Sequence, residues 1–311
     1  MDVHHSSVDA AEALVERVCP VCESPDRDPQ SVEGVFSLVR CRACGMIYTH
    51  RVRSVEAKTL FYQRLAEERQ DTTSHLNPAH YGLANQIKSC RLYDRVLMQI
   101  REWCPRGDVH LVDVGCAGGL FLLAAQVADD GYNVGAPPRF KVRGVSIDPR
   151  EQHDTERNVG CPVEAPARAA AAWPAWADVV TALNTLEHVN EPRPLLACIR
   201  QMLRPGGRVI IDVPNNYVLV RRAGLQRRWP SLDIGEHINH FVPGTLDRLM
   251  TAMGFAPAER LPGLLRGVES LGRKPGVAQI ARWSVARAVM TVTGGAVHAF
   301  PHMTMAYRRE D

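Results

Sequence analysis

The chain has 311 residues, 45% hydrophobic and 23% charged, with a formal net charge of +3. That length supports one large domain, or one domain plus a small attachment, and the net charge is too small to imply nucleic-acid binding. No apolar run approaches the ~20 residues of a bilayer helix, and "MDVHHSSVDAAEALVERV" lacks the apolar stretch of a secretory signal, so a cytoplasmic location without a membrane partner is expected.

Nine cysteines without export features argue against a disulfide framework. Four of them form two knuckles, Cys19-Pro20-Val21-Cys22 and Cys41-Arg42-Ala43-Cys44-Gly45, with eighteen residues between. Two C-x2-C pairs at that spacing bring four thiolates to the corners of a tetrahedron, which predicts a structural zinc ion held by Cys19, Cys22, Cys41 and Cys44. All four positions are then thiolates, so none is open for catalysis. "SVEGVFSLVR" between the knuckles alternates around Gly34 as a hairpin would. Cys90, Cys104, Cys116, Cys161 and Cys198 read as buried small apolar residues.

Residues 1–53 are thus predicted as a zinc ribbon. Residues 54–104 form a helical linker or cap, with helices over Ser54–Gln70 and Leu83–Trp103 and a polar break between them bracketed by Pro78 and Gly82. From residue 105 to 311 apolar strands alternate with helices: "VHLVDVG", "GLFLLAAQVA", "KVRGVSID", "ADVVTALNTLEHV", "PLLACIRQML", "GRVIIDVPN" and "PGTLDRLMTAMGF". The alanine-rich "APARAAAAWPAWA" reads as a helix or loop, and "HMTMAYR" as a last strand. This alternation marks an α/β fold with a doubly wound, mostly parallel sheet. "VDVGCAGGLFLL" places glycines at a strand-to-helix turn, where the backbone passes close to a ligand. The spacing fits neither G-x-G-x-x-G nor a P-loop.

Taken in order, D-x-G-C-x-x-G, an acid near the end of the next strand, "LEHV" and "LRPGGRVII" resemble class I S-adenosylmethionine-dependent methyltransferases. The resemblance runs from about Leu83 to Phe255 and is greatest to the small-molecule branch, including bacterial natural-product and sugar methyltransferases with a zinc ribbon. It implies a seven-stranded Rossmann-like sheet and S-adenosylmethionine as cofactor. Asp113, Gly115, Cys116, Ala117 and Gly119 would cradle its methionine part, and Asn184 would meet it. The Leu203–Gly207 turn would be structural. Two positions depart from the pattern: Ala117 stands where the family has a glycine, and Ser146 where it has the ribose-binding acid. Asp148, on the same side of the strand, is the expected substitute, with Ser146 assisting; its other reading is a turn-former before Pro149.

Two Glu-His pairs, in "LEHVN" and "GEHINHF", are the candidate catalytic groups. The resemblance to the sugar C-methyltransferases implies roles for His188, Glu236 and His237, although this chain lacks the length for their additional sugar-binding domain. Local capping and core packing are the competing readings, and His240 is a further candidate. Tyr62 and Tyr81 are candidates to bond the cofactor carboxylate. Arg221, Arg222, Arg227 and Arg228 suit either a solvated helix face or an anionic acceptor. The expectation is O-methylation of a small molecule in specialised biosynthesis, with C-methylation second and a protein or RNA acceptor docked by the ribbon third. Nucleic acid is not the expected partner. The ribbon should pack over the active-site mouth or form a homodimer contact.

Overall fold

The computed structural model describes residues 13–68, 93, 95–130, 139–215, 234–261, 288, 292–293 and 302–311. Tyr81, the polar break, the first part of the second predicted helix and the four arginines between 221 and 228 lie outside them, as does the Tyr62 side chain.

The N-terminal unit comprises β1 (Leu14–Glu16), β2 (Arg27–Glu33), β3 (Phe36–Cys41), β4 (Ile47–Thr49) and β5 (Arg51–Arg53), followed by α1 (Val55–Glu68). β2 and β3 form the expected hairpin, with Gly34 at φ +58° supplying the left-handed turn residue. α2 (95–103) then leads into the main sheet.

The main unit is built from β6 (Val109–Val114), α3 (Leu120–Asp130), β7 (Phe140–Val145), α4 (Pro149–Val159), β8 (Val163–Glu164), α5 (Pro166–Ala172) and β9 (Ala177–Leu183). After it come a 3-10 turn (Leu186–His188), α6 (Pro192–Met202), β10 (Leu203–Pro214), β11 (Asn239–His240), α7 (Pro243–Ala252), β12 (Phe255–Leu261) and β13 (His302–Arg309). Seven strands make one sheet in the order β12-β13-β10-β9-β6-β7-β8. β8, β7, β6, β9 and β10 are parallel, and β13 runs antiparallel between β10 and β12. All seven residues of β9 are buried, as in a strand covered on both faces, and only Asp178 and Thr181 among them are polar. The predicted Leu203–Gly207 turn is drawn into β10, whose register with β9 breaks between Leu203 and Arg208.

The strand order reverses between β6 and β9. Loops leaving the carboxyl ends of these two strands diverge, which opens the crevice where such sheets bind ligands. The glycine turn leaves β6 and the "LEHVN" loop leaves β9, so the topology brings both motifs to one place.

The small unit is not a separate bead. β11 belongs to the stretch after β10, yet it pairs antiparallel with β4, giving a four-stranded sheet β11-β4-β3-β2. Cys19, Val21, Val39, Cys41, Met46 and Tyr48 share one hydrophobic cluster with Val180, Ile211 and Leu246 of the main unit. Among the described residues no helix is long and apolar enough to cross a membrane.

Candidate active site

The glycine turn is stitched to its neighbours through backbone and hydroxyl groups. Gly115 and Cys116 both donate to the Val145 carbonyl, at 2.8 and 3.2 Å, and Gly119 donates to that of Cys116 at 2.8 Å. Thr185 donates its hydroxyl to the Val114 carbonyl at 3.0 Å, tying the end of β9 to the end of β6. Ala117 takes the glycine position with φ +46°, a left-handed conformation that costs an alanine ~1 kcal/mol. Its carbonyl accepts the Thr155 hydroxyl at 2.6 Å, which anchors the strained turn to α4. Asp113 is buried and accepts from the Thr181 hydroxyl at 2.7 Å.

At the end of β7 the two candidate ribose groups have different surroundings. Asp148 is the N-cap of α4 and accepts from the Arg150 amide at 2.9 Å. Ser146 instead donates to Glu151 Oε2 at 2.6 Å and accepts from the Asp148 amide at 3.1 Å. Burial raises the Glu151 pKa from its ordinary value, as low polarity disfavours a carboxylate. Glu151 went unnoticed in the sequence because it lies in the first turn of a helix, where an acid is expected anyway.

Asn184 adopts φ +51° and donates to Asp212 Oδ2 at 3.0 Å. Asp212 is fully buried and also accepts from Thr304 at 2.6 Å, with His302 Nδ1 at 3.3 Å. This network holds the end of β9 against β10 and β13. Only the C-terminal strand completes it, so neither Asp212 nor Thr304 stands out in the sequence.

The two Glu-His segments converge. Ile238 donates its amide to the Glu187 carbonyl at 2.8 Å. Asn239 Nδ2 donates to the carbonyls of Leu186 and Val189, at 2.8 and 2.7 Å. The His188 and His237 rings meet edge to face, centroids 4.7 Å apart. Glu187 Oε1 lies 3.8 Å from His188 Nε2, and one side-chain atom each of Glu187, His188 and His237 fall within 4.8 Å of one another. The structure therefore brings His188 and His237 together and adds the buried Glu187, which had not been singled out alone. Glu236 reaches His188 through its backbone carbonyl, 3.0 Å from Nδ1. His240 is buried in β11 opposite Ile47.

With Nδ1–H donating to that carbonyl, Nε2 of His188 carries the lone pair, on the side of Glu187. Burial, reinforced by His237, pushes the His188 pKa down to about 3. The imidazole is neutral at neutral pH, and its contact with Glu187 is not an ion pair.

The four knuckle cysteines also converge. Sγ of Cys19 lies 3.5 Å from that of Cys44, and Sγ of Cys22 lies 3.5 Å from that of Cys41, with all four within 4.8 Å of one another. A tetrahedral ion with metal–sulfur distances of about 2.3 Å requires sulfur separations of about 3.8 Å. The knuckles close alike: Glu23 donates to the Cys19 carbonyl and Gly45 to that of Cys41, both at 2.9 Å. Glu23 and Gly45 are both left-handed, at φ +60° and +75°. The donor set fits zinc.

Residues 82–259 match the family described as "Methyltransferase domain". The chain is 30% identical over 193 residues to a ubiquinone biosynthesis O-methyltransferase of Psychrobacter arcticus, covering 59% of this chain and 73% of that protein. It is 29% identical over 158 residues to the protein of that name from Ralstonia nicotianae, covering 49% of this chain and 58% of the relative. Among solved structures, magnesium protoporphyrin IX methyltransferase from Synechocystis PCC 6803 aligns with 81% of this chain and 95% of its own, at 12% identity and a TM-score of 0.46. With more than half its length inside the family match, and with the glycine turn at the β6/β9 reversal, the chain belongs to the S-adenosylmethionine-dependent methyltransferases.

Proposed function

We propose that the chain transfers the methyl group to a hydroxyl of a small-molecule acceptor, with His237 as the proton acceptor and a structural zinc ion in the four-cysteine ribbon. The observation that carries this reading is the cluster in which Glu187 and His188, on the loop that leaves β9 and adjoins the glycine turn, meet His237 from the segment before β11. When bound, the cofactor supplies an electrophilic sulfonium methyl, and the protein has to position the acceptor and take its proton. His188 is held so low in basicity that it serves better as a hydrogen-bond acceptor than as a base. His237 packs against it, and Glu187 can offset the charge that His237 gains. An activated carbon would use the same groups, so C-methylation is the second reading. The relatives are named for ubiquinone biosynthesis, which favours a cofactor-type pathway over a specialised one.

Methyl transfer from radiolabelled S-adenosylmethionine to hydroxylated aromatic and sugar acceptors tests this. His237→Ala is expected to lower kcat by ~10²–10⁴-fold, and His188→Ala by less, with product-cofactor affinity unchanged in both. Near-normal turnover in both variants would exclude proton abstraction here and favour a carboxylate acceptor.

The ribose hydroxyls are assigned to the Ser146–Glu151 pair, because the Asp148 carboxylate is occupied as a helix cap. Calorimetry with S-adenosylhomocysteine should show Glu151→Gln weakening binding by ~10–100-fold, the loss of a charged hydrogen bond. Asp148→Ala should leave affinity nearly intact and remove ~1 kcal/mol of stability. The reverse pattern would make Asp148 the ribose ligand.

A further inference from the structure

The N-terminal unit inserts basic side chains into the two loops that carry the Glu-His pairs. Arg17 donates from Nε to the Thr49 carbonyl at 2.9 Å, from Nη1 to that of Asn190 at 2.8 Å and from Nη2 to that of Ile238 at 2.6 Å. Those acceptors lie on the ribbon, the "LEHVN" loop and the "GEHINHF" segment. Arg17 thus bridges all three.

Lys58, in the first turns of α1, makes the more pointed contact. Its Nζ donates to the His188 carbonyl and to Asn190 Oδ1, each at 2.6 Å. Asn190 Nδ2 in turn donates to the Arg53 carbonyl at 2.8 Å, so the asparagine is held at both ends of its amide. Lys58 is 8% exposed. Both of these acceptors are neutral oxygens, so neither offsets the charge.

A buried ammonium costs several kcal/mol unless its surroundings repay it. A neutral side chain could bridge an amide and a carbonyl at lower cost. What a lysine adds is strong donation to the carbonyl of the residue whose imidazole lies in the cluster, together with a positive charge nearby. That charge is one of the causes that keep His188 unprotonated. Burial, with Arg17 and Arg53 nearby, pulls the pKa of Lys58 itself down to about 7.

We propose that Lys58 is a positioning residue for His188: held between the His188 carbonyl and the Asn190 side chain, its Nζ donors fix the loop that sets the tautomer and orientation of the imidazole. This rests on the reading of the cluster as the active centre. The groups around the pair are Arg17 and Arg53 from the ribbon, His237 and the Glu236 carbonyl from the facing segment, and Glu187 and Asn190 from the same loop.

The test is nitrogen NMR of the histidine side chains in the full, zinc-loaded chain, with His188 assigned by the signal lost in His188→Gln. The wild type should show one neutral tautomer, protonated at Nδ1, down to about pH 5, because its pKa is about 3. Lys58→Met should lose that signature, with the Nδ1 and Nε2 shifts converging as the tautomers mix. Lys58→Gln, which keeps an amide donor, should largely restore it. If Lys58→Met does not fold, Asn190→Ala removes one of the two acceptors and should shift the signals in the same direction by less. An unchanged single tautomer in Lys58→Met, or in Asn190→Ala when the methionine variant does not fold, overturns the proposal. Turnover of His237→Ala separates the two levels: a large loss of rate without a Lys58 effect on the tautomer rejects only the positioning role, whereas near-normal turnover in His237→Ala and His188→Ala rejects the reading of the cluster as the active centre beneath it.

Discussion

Cys41→Ser is expected to lose the bound zinc and to destabilise the protein by several kcal/mol, since binding energy at a four-thiolate site is folding energy for the ribbon. The effect should also reach the acceptor side. Cys41 ends β3, β3 pairs with β4, and β4 pairs with β11 of the "GEHINHF" segment. Cys19 lies two residues beyond Arg17, which bridges the same segment. Metal analysis should find stoichiometric zinc in the wild type and none in the variant. Hydrogen exchange should accelerate at Ile238–Phe241, while β6 and β7 stay protected. Unchanged exchange at those residues would mean that the ribbon is a passive attachment.

Gly115→Ala is expected to lose cofactor binding and to destabilise the fold by ~2–4 kcal/mol, the sum of left-handed strain and overpacking. Gly115 has φ +76°, and a Cβ there would come within 2.3 Å of Thr185 Oγ1. Thr185 could not yield without releasing its bond to Val114 and the loop that leads into Glu187 and His188. Gly34→Ala is the control. Its φ is +58° but nothing lies within 4 Å of the added carbon, so the cost should be strain alone, ~1 kcal/mol, with binding intact. Comparable losses in both variants would show that backbone strain, not the contact with Thr185, governs Gly115.

The contrast between these glycines shows what was legible in the sequence. The glycine turn was visible because strand, turn and helix are contiguous, and the knuckles because zinc chemistry restricts their local spacing. The alternation that specifies the parallel sheet is likewise local. The reason Gly115 must be glycine was not visible: it reads as room for a ligand, and the structure fills that room with Thr185. The Glu-His pairs posed the same difficulty. Their motifs could be seen, but whether Glu187 or Glu236 presents its carboxylate to the histidines depends on how two segments some fifty residues apart are zipped by Asn239. Lys58 was one residue in an ordinary helix until the fold set it against His188. At β7 the sequence offered Asp148 both as ribose ligand and as a turn-former before Pro149, and its role as the cap of α4 fits the second reading, whereas the Ser146–Glu151 bond emerges only from side-chain geometry.

The central claim, that the crevice at the β6/β9 reversal binds the methyl-donor cofactor, is tested most directly by calorimetric titration of the wild-type protein with S-adenosylhomocysteine. The account predicts saturable binding at one site per chain, abolished by Gly115→Ala and weakened by Glu151→Gln. Absence of any binding heat from zinc-loaded, folded protein, with S-adenosylmethionine equally silent, would contradict it.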